Sequence, residues 1–176
     1  MRKRIFPVLC VIVLMSVLPT SALARGAVKL SSVDFSLGSL IADGTLTGLG
    51  MDDVLVNLTA SGIPVVICTN QGGNQSPGQN PSKVSASGQQ SLFGTDPVRK
   101  NGKSPFGVET SELSSFLSGT QGGCPNDNWT ATIDFVYWTD ATISIYSLDT
   151  GELLTQQSYT CVTTRDPDSV SCTPVP

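Results

Sequence analysis

The strongest pattern in the chain lies at residues 129–138, "WTATIDFVYW". Alternation puts Trp129, Ala131, Ile133, Phe135 and Tyr137 on one side. Thr130, Thr132, Asp134, Val136 and Trp138 fall on the other. Period-two alternation among β-branched and aromatic residues predicts a strand. "ATISIYSL" follows after an expected tight turn near Thr139 and Asp140, and "ELLTQQSYTC" follows "DTG". Gly151 suits the left-handed position of a three-residue hairpin loop, so the three segments predict an antiparallel meander. Upstream, "DDVLVNLTASG" sets Val54, Val56 and Leu58 against Leu55, Asn57 and Thr59, and "PVVIC" reads as a short strand ending at Cys68. "SKVSASG" and "SPFGVET" predict weaker strands joined by the turn-rich "DPVRKNGK". One segment, "SELSSFLSG" at 111–119, predicts a helix of one or two turns. Ser111 would cap it, and Leu113, Phe116 and Leu117 would form its apolar side.

Short strands separated by turn residues, with almost no helix, predict an all-β antiparallel β-sandwich with a C-terminal meander. It is immunoglobulin-like only in the loose sense of two packed sheets. No tryptophan lies a dozen or so residues beyond Cys68, and Trp129 comes too late to serve as that domain's core tryptophan.

The first 24 residues do not belong to this pattern. Arg2, Lys3 and Arg4 precede a short apolar run, and Ala22 and Ala24 supply small residues for cleavage. This order predicts a signal peptide over 1–24 and a single secreted domain over 25–176. Cys10 lies inside the apolar run without a small residue before it, which argues against lipidation. The run is short for a membrane span and no later stretch approaches one, so no membrane insertion is expected once the signal is removed. The remaining chain carries seven basic and fourteen acidic residues, a net charge of −7. With its Lys and Arg mostly scattered, this balance argues against nucleic acid as a partner.

Four of the five cysteines survive processing: Cys68, Cys124, Cys161 and Cys172. An even number in an exported chain predicts two disulfides, and three pairings are possible. The favoured one joins Cys161 to Cys172, because "CVTTRDPDSVSC" reads as a hairpin turned at Asp-Pro-Asp. Cys68 then pairs with Cys124. In the chain-entropy account these closures contribute about 3 and about 4 kcal/mol. Zinc is the competing use of the cysteines. It is disfavoured, since there is no histidine and no close cysteine pair.

The absence of histidine excludes Ser-His-Asp and Cys-His catalysis and histidine-ligated metals. Carboxylates occur at Asp52 and Asp53, at Asp127, and at Asp166 and Asp168, but no spacing sets two of them across a cleft as glycoside hydrolysis requires. "PNDN" and "RDPD" cluster oxygen ligands without matching a calcium loop. No catalytic residue, metal or cofactor is expected. Three Asn-X-Ser/Thr matches, at Asn57, Asn74 and Asn128, are attributed to chance in a Ser/Thr-rich chain. The candidate ligand-binding residues are Trp138, as an exposed aromatic, with Asn70, Asn74, Gln75 and Asn128 on two Gly- and Asn-rich loops. An aromatic face beside carboxamides suits a sugar ring.

"CTNQGGNQSPGQNP" at 68–81 and "GGCPNDNWTATI" at 122–133 resemble small exported bacterial proteins of unknown function carrying C-T-N-x-G-G-N, P-G-Q-N and C-P-N-x-x-W-T segments. The likeness runs from about Val54 to Tyr146. It implies a bacterial origin and supports the domain boundaries, but no activity. The expected function is that of a secreted, disulfide-stabilised, non-enzymatic module, structural or interacting, with an unknown protein or a cell-surface glycan as partner. The alternative is a dedicated carbohydrate-binding module.

Overall fold

The computed structural model describes residues 27–37, 39–166 and 168–176, so the expected signal peptide lies outside the described residues. Ten strands follow in order: β1 (Lys29–Ser36), β2 (Ile41–Thr47), β3 (Val54–Thr69), β4 (Gln75–Pro77), β5 (Val84–Leu92), β6 (Lys103–Glu109), β7 (Phe116–Leu117), β8 (Thr130–Ser147), β9 (Leu153–Arg165) and β10 (Asp168–Pro174). All pairings between them are antiparallel. A three-stranded sheet, β1-β2-β6, faces a seven-stranded one built on the path β10-β9-β8-β3-β4. The all-β sandwich expected from the sequence is therefore present, but its C-terminal meander is β8, β9 and β10, not the three expected segments, two of which are one strand.

The larger sheet is organised on one ladder. All sixteen residues of β3 pair with β8, from Val54 opposite Ser147 to Thr69 opposite Thr130. At one half of this ladder β5 borders β3 and β9 borders β8. At the other half those places are taken by β4 and β7. Even-numbered residues of β3 face inward along its whole length, every one of them buried from Val54 to Cys68. Beneath the first half, Val54, Val56, Leu58, Ile143 and Ile145 pack against Leu40, Ala42, Leu46, Phe106 and Val108 of the smaller sheet and its turn. The second half has a small core of its own, Val66, Cys68 and Ala131, with Leu117, Cys124, Trp129 and Ile133 around it.

Two strands run longer than the pattern implied. "DDVLVNLTASG" and "PVVIC" are one strand, and so are "WTATIDFVYW" and "ATISIYSL". The polar pair Thr139-Asp140 reads as a turn, but a reversal at that point needs residues that accept positive φ, and neither has it. The chain instead absorbs one extra residue in a β-bulge. Ser61 pairs with Asp140 and Gly62 with Trp138, leaving Thr139 over; Val65 pairs with Phe135 and Val66 with Ile133, leaving Asp134 over. Each bulge switches the parity of β8. Ala131 and Ile133 face the core, then Val136 and Trp138, then Ala141, Ile143 and Ile145. Strict alternation had placed Val136 and Trp138 on the opposite face. Pro64 falls where β3 has passed the end of its β5 pairing and not yet met β4, a position that tolerates a residue without an N–H.

The expected helix at 111–119 is not formed, and the described residues contain no helix. Ser111 N donates to Ser87 O, Ser115 O accepts from Ile133 N at 2.9 Å, and Phe116 and Leu117 pair with Thr132 and Ala131. The edge of β8 thus satisfies backbone groups that a helix would have satisfied internally. Extended spacing also lets Leu113 reach the main core while Leu117 reaches the small one.

Both favoured disulfides are present, Cys161–Cys172 across directly paired positions of β9 and β10, and Cys68–Cys124 from β3 to a loop. Gly151 has the positive φ expected of it.

Ile143 is completely buried opposite Leu58 on the ladder. Ile143→Ala should therefore cost about 2–5 kcal/mol in urea unfolding, through lost burial and a residual cavity. Thr59→Ala, on the exposed face of β3, should stay within about 0.5 kcal/mol of the parent. Equal losses would mean that the outer face of the ladder is also packed.

Candidate functional site

The two Gly- and Asn-rich loops meet at the end of the ladder where β3 finishes and β8 begins. Asn70 follows Thr69, and its Oδ1 accepts hydrogen bonds from Gly72 N and Asn74 N, each at 2.9 Å. Its backbone is bonded as well, Asn70 N to Asn74 O and Gly73 N to Asn70 O. This Asx-type turn reverses the chain at once and returns it as β4 beside β3. The second loop is knitted by the same means. Gly122 N, Gly123 N and Cys124 N donate to the carbonyls of Ser118, Thr120 and Gly119, and the Asn126 side chain accepts from Asn128 N. Asp127 accepts from both the backbone N–H and the hydroxyl of Thr120.

The loops are then joined to each other. Cys68 is bonded to Cys124, Gln79 N donates to Gly123 O, and Ser82 N donates to Gln121 O, the last two at 2.8 Å. A Cβ at Gly78 would collide with the carbonyl of Gly122, and one at Gly123 with the carbonyl of Gln79. Glycine is needed here because two backbones lie in contact, and Gly123 has positive φ besides. The glycine-rich composition that marks these segments in the sequence is a packing requirement.

Between the loops lies a shallow cleft of about 260 Å³, lined by Asn70, Gln71 and Gly72 on one side and Asn126, Asn128 and Trp129 on the other. Asn70 and Asn128, both named from sequence, are thus brought together. Asn74 and Gln75 sit at the turn into β4 and do not line the cleft.

Trp138 requires correction as the exposed aromatic. It is 3% exposed and belongs to the main core, carried inward by the bulge at Asp134. The aromatic beside the loops is Trp129, which alternation had placed on the same side of the strand as Ala131. It does contact the small core, but it also borders the cleft. Its position one residue before β8, inside a turn where Trp129 N donates to Asn126 O, was the available sign of a boundary residue.

Trp138 does form part of a second recess. A groove of about 540 Å³ runs between β8 and the segment after β6, floored by Leu113, Ile133, Val136 and Trp138. Glu112, Asp134 and Asp168 stand among its polar lining. Asp134 is engaged by Arg165 at 2.6 Å, and the Arg165 guanidinium lies over the Phe135 ring.

Of the other carboxylates singled out from sequence, Asp53 is tied into a turn, and the backbone beside it is held as well. Asp53 Oδ1 accepts from Gly94 N at 2.6 Å, and the Asp52 carbonyl accepts from Arg99. Among the described residues no group of three or more His, Cys, Asp or Glu side chains is arranged to hold a metal ion. Asp140 lies below the ordinary carboxylate range, chiefly because Thr139 donates to it at 2.7 Å, with Lys83 and Ser61 adding to the effect.

Asp127 is likewise lowered from its ordinary 3.8, first by the Thr120 hydroxyl and then by the Thr120 N–H. A carboxyl depressed in the folded state contributes stability above its unfolded pKa, and the contribution disappears as pH falls through the folded value. The Thr120 amide resonance should therefore titrate with a midpoint below 3.8. Asp127→Asn should abolish that step, and a midpoint at or above 3.8 would mean the clasp does not hold in solution.

Comparison with protein-family models finds no match for the chain, and comparison with curated proteins finds none either.

Proposed function

We propose that this chain is an exported, non-enzymatic interaction module that makes contact through its disulfide-rooted loop end. The observation that carries this reading is the degree to which two polar loops are held. A disulfide, loop-to-loop backbone hydrogen bonds and close glycine contacts fix segments that would otherwise be expected to move. Ordering them during folding removes a cost that a flexible loop would meet on binding. The groups around the cleft are carboxamides, a glycine backbone and an indole. These donate, accept and stack, and none of them exchanges a proton near neutral pH. Two disulfides in an all-β chain suit an oxidising compartment, which supports export.

The two disulfides allow a direct test. Replacing Cys68 and Cys124 together with alanine releases the loop end, whereas replacing Cys161 and Cys172 releases only the β9–β10 pair. Chain entropy sets the losses at about 4 and about 3 kcal/mol, so both variants should remain folded in the cold. Binding of the labelled mature protein to cell-envelope material of the source organism should fall away in the first variant and persist in the second. If both variants bind like the parent, the loop end is not the contact surface.

A further inference from the structure

We infer that the cleft beside Trp129 is a binding site for a neutral saccharide, a proposal that rests on the loop end being the contact surface. The indole borders the cleft and is partly buried against the small core of Val66, Cys68 and Ala131, so packing already limits its orientation. An indole held in this way offers an apolar face to the C–H side of a pyranose ring. The carboxamides around it are held as well. Oδ1 of Asn70 accepts from two loop N–H groups and Oδ1 of Asn126 from Asn128 N. That leaves their NH2 groups as donors to ring and hydroxyl oxygens, and among the described residues no acceptor engages them. Gln71 and Asn128 can supply both donors and acceptors to neighbouring hydroxyls.

Charge narrows the ligand class. No lining residue of the cleft is ionised, and the nearest carboxylate in sequence, Asp127, is committed to Thr120 outside the lining. The cleft has no cation to match a sulfated, phosphorylated or carboxylated sugar, so its ligand is uncharged. Two other surfaces fit a saccharide less well. The Phe135 and Tyr137 rings on the outer face of β8 meet at 76° and make no flat platform. The groove at Trp138 is lined by Trp138 and Phe135 with aliphatic side chains, but Trp138 is buried in the core and carboxylates border the groove, and nothing in the structure indicates what would fill it.

The test uses the mature protein and its intrinsic fluorescence, with Trp138 as a buried internal reference. Titration with neutral oligosaccharides (glucan, mannan, galactan and chitin fragments) should shift the Trp129 emission to the blue. Trp129→Ala should reduce affinity at least about tenfold when assayed well below its melting point, which falls because the indole also packs on the small core, and Trp129→Phe should retain part of both. Asn128→Ala should give a smaller, several-fold loss. In parallel, envelope material is treated either with periodate, which cleaves vicinal diols, or with protease. Binding that is lost with periodate and with Trp129→Ala supports the saccharide site even if the sugar panel is silent. Binding that survives periodate, is lost with protease and still needs the Cys68–Cys124 bond overturns the saccharide proposal and leaves the interaction module standing. Sugar binding indifferent to Trp129→Ala overturns the assignment to this cleft. No binding to either sugars or envelope overturns both.

Discussion

The pairing of β3 with β8 is the constraint from which the rest of the molecule follows. A ladder this long cannot be covered by one short sheet, and the chain covers its two halves differently. Over the Val54–Ser147 half lies the three-stranded sheet, which completes a sandwich core of aliphatic side chains. Over the Cys68–Ala131 half the described residues form no second sheet. A loop bonded through Cys124 closes a core of three buried residues. That core is too small to fix much surface by apolar burial alone, so a covalent bond and backbone hydrogen bonds take over. The division also explains where irregular structure is concentrated. The sandwich half is made of regular strands, and the polar loops gather at the end that lacks a covering sheet.

Much of this was legible in the sequence because alternation and cysteine spacing report strands and staples directly. The inward row Val54, Val56, Leu58 and the hairpin between Cys161 and Cys172 were both readable. What escaped was anything that depends on a neighbouring strand. A bulge costs the sequence one ordinary residue, Asp134 or Thr139, and has no signature of its own; it exists because β8 must stay in register with β3. The segment 111–119 has helical spacing, yet the edge of β8 was available to its backbone. Strands β1 and β2, two of the three strands of the covering layer, were not recognised at all. Their inward positions are few, Ala42 and Leu46 in β2, and β1 is interrupted by a register shift near Ser32.

The candidate site shows the same limit at the level of single residues. Sequence alone identified the two loops, their shared root and two of the asparagines now at the cleft, because disulfide pairing brings the loops together whatever the details. The choice between the two tryptophans depended on parity. One unpaired residue in β8 sends Trp138 into the core, and Trp129, before the strand begins, becomes the aromatic at the loops.

The bulges in β8 also bear on how such a strand changes over generations. In a regular strand, gaining or losing one residue exchanges the two faces of everything beyond it. Here Asp134 and Thr139 stand outside the pairing, and each lies between inward residues whose order is regular once it is omitted: Ala131, Ile133, Val136, Trp138, Ala141. Removing either residue restores simple alternation across its own site and leaves the buried set intact. The central strand of the fold therefore has two sites where chain length can vary by one residue while the core keeps its composition, so insertions and deletions need not be confined to loops.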